Sequence, residues 1–179
     1  MQQKQTEKSA KTQAIKPELR RKLIILGAKL VGTILLLYIL LFRIYGFVRI
    51  DTNVMSPNVR GGDLALMFHL MGDYSIGDVV TYHCGDRTCV GRVAAKEGDV
   101  VNIEDGKVLI NGHPEENTAY GDDIYPDGSS VKYPYTVAKE QYFILGDNRN
   151  EYDDSRSFGA INKSEITSLI IGVFRTHEL

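Results

Sequence analysis

The two cysteines of this 179-residue chain stand close together, and their spacing allows one reaction. Cys84 and Cys89 bracket the four residues Gly-Asp-Arg-Thr, so in an exported domain they could face each other across a hairpin and form a disulfide. Closing so short a loop restrains little unfolded-chain entropy, worth about 1–2 kcal/mol. Free thiols and a solvent-exposed redox pair are the alternatives.

The histidines do not indicate a metal site. Zinc ligands recur at short, fixed spacings, and two cysteines are too few for a four-cysteine site. The four histidines are scattered along the chain instead, at His69, His83, His113 and His177. We therefore expect no metal and no other cofactor.

The segments that carry these residues are typical of a β domain. Apolar and β-branched runs recur at short spacing, separated by Gly-, Asp- and Asn-containing turns. The pair Asp105-Gly106 inside VVNIEDGKVLING predicts a two-residue hairpin. We expect a long loop over residues 113–136 and one short helical turn near Lys163–Ser168. The predicted strands are Phe47–Ile50, Asp63–Phe68, Asp78–His83, Cys89–Ala95, Val100–Ile103, Lys107–Ile110, Gln141–Leu145 and Leu169–Phe174.

An apolar run near the N-terminus, Leu23 to Phe42, is about the length of a bilayer-spanning helix. Only Lys29 interrupts it, near the end where a long ammonium stem can reach the headgroups. A buried core helix of this length would show a polar face, and a cleaved signal peptide would carry small residues at a cleavage site. The sequence therefore favours an uncleaved membrane anchor over both alternatives.

The net charge of −2 is divided unevenly along the chain. Residues 1–43 hold nine basic and two acidic residues, whereas the remainder holds 12 basic and 21 acidic residues. The basic side chains before Leu23 predict a cytoplasmic N-terminus and an extracellular C-terminal domain. An acidic outer domain argues against a nucleic-acid partner. We thus predict a basic tail over 1–22, an anchor over 23–42 and a β domain over 47–179.

Three segments of the predicted β domain resemble, in order, the motif boxes of type I signal peptidases, the membrane-anchored serine proteases that cleave leader peptides. They are TNVMSPNVRGGDLAL, GRVAAKEGDVV and GDNRNEYDDSRSFG, at Thr52–Leu66, Gly91–Val101 and Gly146–Gly159. The third match is long and specific. The resemblance implies a mostly β, signal-peptidase-like antiparallel sheet or barrel on a single N-terminal transmembrane helix.

The resemblance also shows where this chain departs from the protease pattern. These peptidases use a Ser nucleophile and a neutral Lys as general base, because a hydroxyl needs a nearby base to remove its proton. The family's Ser falls on Val54, its Lys on Gly91, and a Ser that helps to hold the Lys on Tyr152. Val54 has no ionisable atom and Gly91 has no side chain, so we predict that the catalytic dyad is absent.

A relocated nucleophile is the alternative for catalysis. Ser56 lies two residues after Val54, on the same face if the segment is extended, but about 6–7 Å away. Misplacement by even 1 Å can lower a rate by about 10²-fold. Lys96 is the nearest replacement base in the sequence. As structural residues, Ser56 precedes a turn proline and Lys96 is a solvated loop charge.

The resemblance implies that the framework around the missing dyad remains. The third segment would organise the site through ion pairs and hydrogen bonds of Asp147, Asn148, Arg149, Asp154, Ser155 and Arg156. An extended peptide would lie as an added strand between two edges, near Asp51–Val54 and Ala94–Lys96. Val54 and Tyr152 would fill the space that the Lys leaves at Gly91. The predicted cleft residues are Asp51, Thr52, Asn53, Val54, Met55, Ser56, Pro57, Gly91, Ala94, Ala95 and Lys96.

Three functions follow as hypotheses. The first is a non-proteolytic homologue that binds a peptide or protein and assists surface-protein assembly. The resemblance to dyad-lacking members of pilus gene clusters implies a Gram-positive bacterium, with a pilin and a sortase as partners beside membrane lipid. The second is an active leader peptidase with a nucleophile such as Ser56. The third is a homologue that binds only lipid or has no client.

Overall fold

The computed structural model describes the backbone of residues 2–70, 72–115 and 131–175, and the side chains of those residues from position 17 onward. The chain divides into two compact units, Met1–Arg43 and Ile44–Leu179. The eleven strands in the described residues are β1 (Tyr45–Arg49), β2 (Leu64–Phe68), β3 (Val79–Cys84), β4 (Arg87–Lys96), β5 (Val100–Glu104), β6 (Lys107–Ile110), β7 (His113–Pro114), β8 (Tyr135–Thr136), β9 (Gln141–Leu145), β10 (Ile161–Asn162) and β11 (Ile166–Phe174).

The N-terminal unit is one helix, α1 (Gln2–Ile44). Its Pro17–Ile44 portion is long and apolar enough to cross a membrane, and none of its most apolar stretch is buried in the protein. The predicted anchor at 23–42 lies inside this portion. The helix also continues through the basic segment, which the sequence left without an assigned structure. A side-chain surface this apolar is stable in lipid and costly in water, so the helix can anchor the chain in a membrane.

The second unit consists of two antiparallel sheets. Seven strands form the larger sheet in the order β1-β2-β11-β3-β4-β9-β10, and four form the smaller in the order β7-β6-β5-β8. Strand β4 joins two neighbours over different parts of its length: it pairs with β3 along Arg87–Arg92 and with β9 along Arg92–Lys96. This division places Gly91 where β4 passes from one partner to the other.

The sheets enclose apolar clusters built from alternating strand residues. One cluster holds Val80, Tyr82, Val93 and Ile144, which are all completely buried. Another cluster lies between the two sheets and includes Val101, Val108 and Phe143. The third cluster contains Met55, so the first motif segment packs directly on the apolar core.

The mostly β fold is confirmed, and all eight predicted strands are present, with shifts of no more than three residues at their ends. The predicted hairpin turn is also present, because Asp105 and Gly106 both have positive φ, at 49° and 70°. The helical turn is shorter than predicted: a 3-10 turn covers Lys163–Glu165 and β11 already begins at Ile166.

The sequence missed the short elements. Helix α2 (Ser155–Phe158) was not predicted, and neither were β7, β8 and β10. Strands β7 and β8 occupy parts of the predicted long loop over 113–136, and residues 116–130 of that loop lie outside the described residues. A strand of two residues carries too little alternation for a pattern to detect.

Candidate functional site

The first motif segment coils instead of extending. The Ser56 amide donates to the Asn53 carbonyl at 3.0 Å, and the Val59 amide donates to the Met55 carbonyl at 2.8 Å. Because this segment is not an extended strand, Ser56 and Val54 do not share a strand face. A nucleophile relocated to Ser56 would require that shared face. Among the described residues, none hydrogen-bonds to the Ser56 hydroxyl or pairs with the ammonium of Lys96, which is exposed at the end of β4.

Val54 is buried against the backbone of the third motif segment. Its carbonyl accepts a hydrogen bond from the Asn148 amide at 2.8 Å. A Cβ added at Gly146 would lie only 2.5 Å from Val54 Cγ1 and 2.7 Å from the Val54 carbonyl oxygen. The glycine is therefore required for this close approach. The position that the resemblance assigns to the nucleophile holds an apolar side chain packed on main chain.

The space that a side chain at Gly91 would need is already filled. A Cβ there would lie 2.5 Å from Ile144 Cγ2, 3.2 Å from the Leu145 carbonyl oxygen and 3.5 Å from Tyr82 Cε1. The sequence predicted that Val54 and Tyr152 fill this space, whereas the three nearest atoms belong to residues of β9 and β3. Ile144 is completely buried, so it cannot swing into solvent to make room for a longer side chain.

Tyr82 was not identified by the sequence as a site residue. Its side chain is completely buried, and its hydroxyl has no hydrogen-bond partner among the described residues. Burial raises the pKa of this phenol strongly, and the negative charges of Asp154 and Asp153 raise it further. Gly91, to which the resemblance assigns the base, thus lies next to a neutral phenol in an apolar environment. No sequence signal distinguishes Tyr82 from other tyrosines of strands.

Tyr152 belongs to a different contact from the predicted one. The Arg156 guanidinium lies over its ring, 4.9 Å from the ring centroid. The Tyr152 carbonyl also accepts a hydrogen bond from the Ser157 hydroxyl. A cation over an aromatic face is an attractive arrangement, so Tyr152 packs on the polar framework of its own segment.

The centre of that framework is the buried pair Asp154 and Arg156. Both side chains are completely buried and joined by an ion pair at 2.8 Å. The Asp154 carboxylate also accepts from the Gly146 amide at 3.0 Å, and Arg156 donates to the Arg149 carbonyl at 2.8 Å. These bonds satisfy both charges, which an interior of low dielectric constant requires.

The neighbouring residues of the third segment are equally well bonded. The Ser155 hydroxyl accepts from the Ile144 amide at 2.9 Å, which fixes the strand residue that covers Gly91. Arg149 donates to the Gly146 carbonyl at 2.9 Å and forms an ion pair with Glu115. The segment therefore contacts Val54 through the Asn148 amide and fixes Ile144, which covers Gly91, through the Ser155 hydroxyl.

A second ion pair joins the three motif segments. Arg92 contacts both carboxylate oxygens of Asp147, at 2.8 and 2.6 Å, and Asn58 donates to the same carboxylate at 2.8 Å. The hydrogen bond to Asp147 raises the pKa of Arg92, so the guanidinium remains charged. The sequence did not single out Arg92 or Asn58. Arg92 nevertheless follows Gly91 in the second motif segment, and this position is a sequence signal that could have identified it.

A groove of about 350 Å³ runs along the end of β1. Asp51 and Thr52 line it as expected, but the second wall is the stretch Thr88–Val90 and not Ala94–Lys96. Ala94 and Ala95 are buried because this part of β4 pairs with β9 and packs on the apolar core. The groove is lined by Val48, Arg49, Ile50, Asp51, Thr52, Thr81, Arg87, Thr88, Cys89, Val90 and Asp153.

The remaining predicted cleft residues do not line the groove. Met55 is completely buried in the cluster below, whereas Pro57 is exposed and Ser56 and Asn53 lie in the coil beside it. Cys84 and Cys89 form a disulfide whose Cα atoms are 5.9 Å apart. In the described residues, no group of three or more His, Cys, Asp or Glu side chains is arranged to hold a metal ion.

The fold and the three motif segments define one family of membrane-anchored proteins. The chain belongs to the signal peptidase family, peptidase S26, whose family model matches residues 23–174. A Staphylococcus aureus (strain Mu50) protein named inactive signal peptidase IA is 26% identical over 144 residues, covering 76% of this chain and 82% of that protein. Signal peptidase I of Leptolyngbya laminosa is 31% identical over 101 residues, or 50% of this chain and 47% of that protein.

The comparison with solved structures gives a match in the same family. The crystal structure of a signal peptidase I from Enterococcus faecalis V583 is 21% identical in sequence, with a TM-score of 0.45. The match covers 55% of this chain and 97% of that one.

Proposed function

We propose that this chain is a non-proteolytic member of the signal peptidase family that binds an extended segment of an exported protein. One observation carries the proposal: both positions assigned to the dyad are filled by packing. Val54 is buried against Gly146, and Ile144 occupies the space that a side chain at position 91 would need. No proton can pass between these groups, since neither side chain holds an ionisable atom.

The groove supports the binding half of the proposal. It lies beside the remodelled positions and combines apolar Val48, Ile50 and Val90 with polar Thr52 and Thr88. Apolar surface with a few polar groups is typical of ligand sites, and an extended peptide can add main-chain hydrogen bonds along a strand. The anchor helix would tether the β domain, and with it the groove, to a membrane.

The cellular role that we propose is assistance in surface-protein assembly, with a pilin as the client and a sortase in the same membrane as a second partner. The N-terminus would be cytoplasmic and the β domain extracellular, because the basic residues of the chain concentrate before the anchor. The similarity to a protein named inactive signal peptidase IA supports the non-proteolytic part of this role. The pilus part rests on the resemblance of the sequence.

Peptide binding by the full chain in detergent tests the proposal. A fluorescent leader peptide should bind the chain, and Thr88→Arg should weaken binding because the longer side chain fills the groove. Thr136→Arg is the matched control, since Thr136 is also exposed on a strand but lies in the smaller sheet. Equal binding by both variants, or no binding by the unmodified chain, would overturn the proposal.

A genetic experiment tests the cellular role. Deletion of the gene should prevent pilus polymerisation, and the unmodified chain should restore it although it cleaves no leader peptide. The Thr88→Arg chain should fail to restore pili at equal membrane abundance, whereas the Thr136→Arg chain should succeed. Normal pili in the deletion strain would contradict the assembly role and leave peptide binding standing.

A further inference from the structure

The groove ends at an ion pair that also borders a second cavity. Arg87 and Asp153 line the groove on one side and a cavity of about 390 Å³ on the other. This second cavity, called here the Phe158 cavity, is lined by His83, Cys84, Gly85, Arg87, Asp153, Phe158, Ala160, Ile161, Asn162 and Glu165. The two concave surfaces therefore share one boundary.

The disulfide forms part of the same boundary. Cys89 lines the groove and Cys84 lines the Phe158 cavity, and their bond closes the β3–β4 hairpin between them. Along β4, Arg87 at the boundary lies three positions before Val90 in the groove, a length of about 10 Å for an extended chain. A peptide lying along β4 reaches the second cavity within a few residues.

The ion pair at the boundary is easily displaced. Arg87 and Asp153 approach to 3.1 Å, with 66% and 36% of their side chains exposed. Exposed pairs of this kind contribute little to stability, because water and salt screen them. A bound peptide can therefore pass between or over these side chains without disrupting the fold. The adjacent Asp154 differs, since it is completely buried.

The Phe158 cavity offers such a peptide one exposed aromatic ring among mostly polar side chains. Phe158 is 41% exposed at the end of α2, and Ile161 lies on the adjacent β10. Of the acidic residues there, Asp153 is paired with Arg87, and Glu165 accepts hydrogen bonds from Asn162. The Phe158 ring takes part in none of these contacts, so it is available to a bound peptide.

We propose that the Phe158 cavity is a second subsite for the same extended peptide, and that it takes an aromatic or large aliphatic side chain. The inference rests on the proposed function of the groove. Aromatic side chains that pack on another ring in a partly enclosed site commonly contribute strongly to the affinity of an interface. The second subsite would then select clients by a residue several positions away from the one that lies beside Val54.

Peptide selection on the full chain in detergent tests this inference. The probe is a displayed library of random peptides of about twelve residues, long enough to span about 40 Å when extended. A selected peptide should contain an aromatic or large aliphatic residue toward one end. Removing that end, or replacing that residue by Ala, should weaken binding roughly tenfold or more.

Two variants separate the second subsite from the groove. Phe158→Ala should weaken the full peptide by a similar factor and leave the shortened peptide unchanged. Phe174→Ala is the matched control, because Phe174 is 53% exposed on β11 and lines neither cavity. Thermal unfolding should show similar, small losses of stability in both variants, since each ring is about half exposed.

The outcomes are distinguishable. A selected peptide that loses binding to Thr88→Arg but is insensitive to Phe158→Ala and to shortening would overturn the second subsite and leave the groove function standing. If the library enriches no peptide on the unmodified chain over the Thr88→Arg chain, the proposed groove function fails and the second subsite fails with it.

Discussion

Residues 54 and 91 and the polar framework near them differ in the kind of contact that they make. Val54 is buried against Gly146, and Gly91 is covered by the Ile144 side chain. A few residues away, Asp154 and Arg156 remain completely buried as an ion pair with further hydrogen bonds. The comparison indicates that the framework stabilises the fold by itself, because its ion pair and hydrogen bonds are complete without a polar side chain at residue 54 or 91.

The largest expected effect comes from breaking the framework. Asp154→Asn should lower the free energy of unfolding by about 3–5 kcal/mol, because Arg156 would be left buried without its counter-charge. The matched control is Asp153→Asn, since the exposed pair with Arg87 should contribute no more than about 1 kcal/mol. Denaturant unfolding of the full chain in detergent measures both. Similar losses of unfolding free energy for Asp154→Asn and Asp153→Asn would show that burial of the ion pair does not determine its contribution.

A smaller effect is expected from overfilling the remodelled base position. Gly91→Lys should destabilise the chain by about 1–3 kcal/mol, because Ile144 must move out of a packed core. Gly172→Lys is the control, since the nearest atom to a Cβ at that strand glycine is 4.0 Å away. Equal stability of both variants would mean that Ile144 yields easily and that the base position is not closed.

The sequence anticipated the strands better than the contacts between them. The alternation of apolar residues and the Asp105-Gly106 turn are local signals, so they could be read directly. Helix α2 was missed because four residues carry no period, and its start depends on the Asp154 side chain that accepts from the Arg156 amide.

At the site, the sequence could predict which residues occupy the motif positions but not which side chains pack around them. Val54 and Gly91 could be placed by matching motif segments, but the side chains that fill the space could not. Tyr82 and Ile144 come from strands β3 and β9, and only the pairing of β4 with both brings them to Gly91. The same switch of partners explains why Thr88–Val90, and not Ala94–Lys96, walls the groove.

A stabilising change is expected at the unpartnered phenol. Tyr82→Phe should raise the free energy of unfolding by roughly 1 kcal/mol, because it removes a buried hydroxyl that has no hydrogen-bond partner in the described residues. Chemical denaturation at pH 7 measures the change. A loss of stability instead would reveal that the hydroxyl makes a favourable contact.

The same substitution should alter the alkaline stability of the chain. Because the pKa of Tyr82 is raised in the folded protein, ionisation above about pH 10 favours the unfolded chain and stability falls as the pH increases. The Tyr82→Phe chain should lose less stability than the unmodified chain between pH 9 and pH 11. Parallel curves for the two proteins would contradict the assigned pKa direction.

The smallest effect concerns the alternative nucleophile. Ser56→Ala should change stability by less than about 0.5 kcal/mol and leave leader-peptide binding unaltered, because Ser56 lies in a coil outside the groove lining. Thermal unfolding and fluorescence anisotropy measure the two quantities. A marked loss of binding would place Ser56 in the peptide site.

Cleavage of a leader peptide tests the central claim most directly. The full chain in detergent, incubated with a synthetic leader peptide and followed by mass spectrometry, should yield no cleavage product above a peptide-only control while the peptide still binds. The contradicting result is a defined product that disappears in the Ser56→Ala chain, because it would show that the remodelled site retains a working nucleophile.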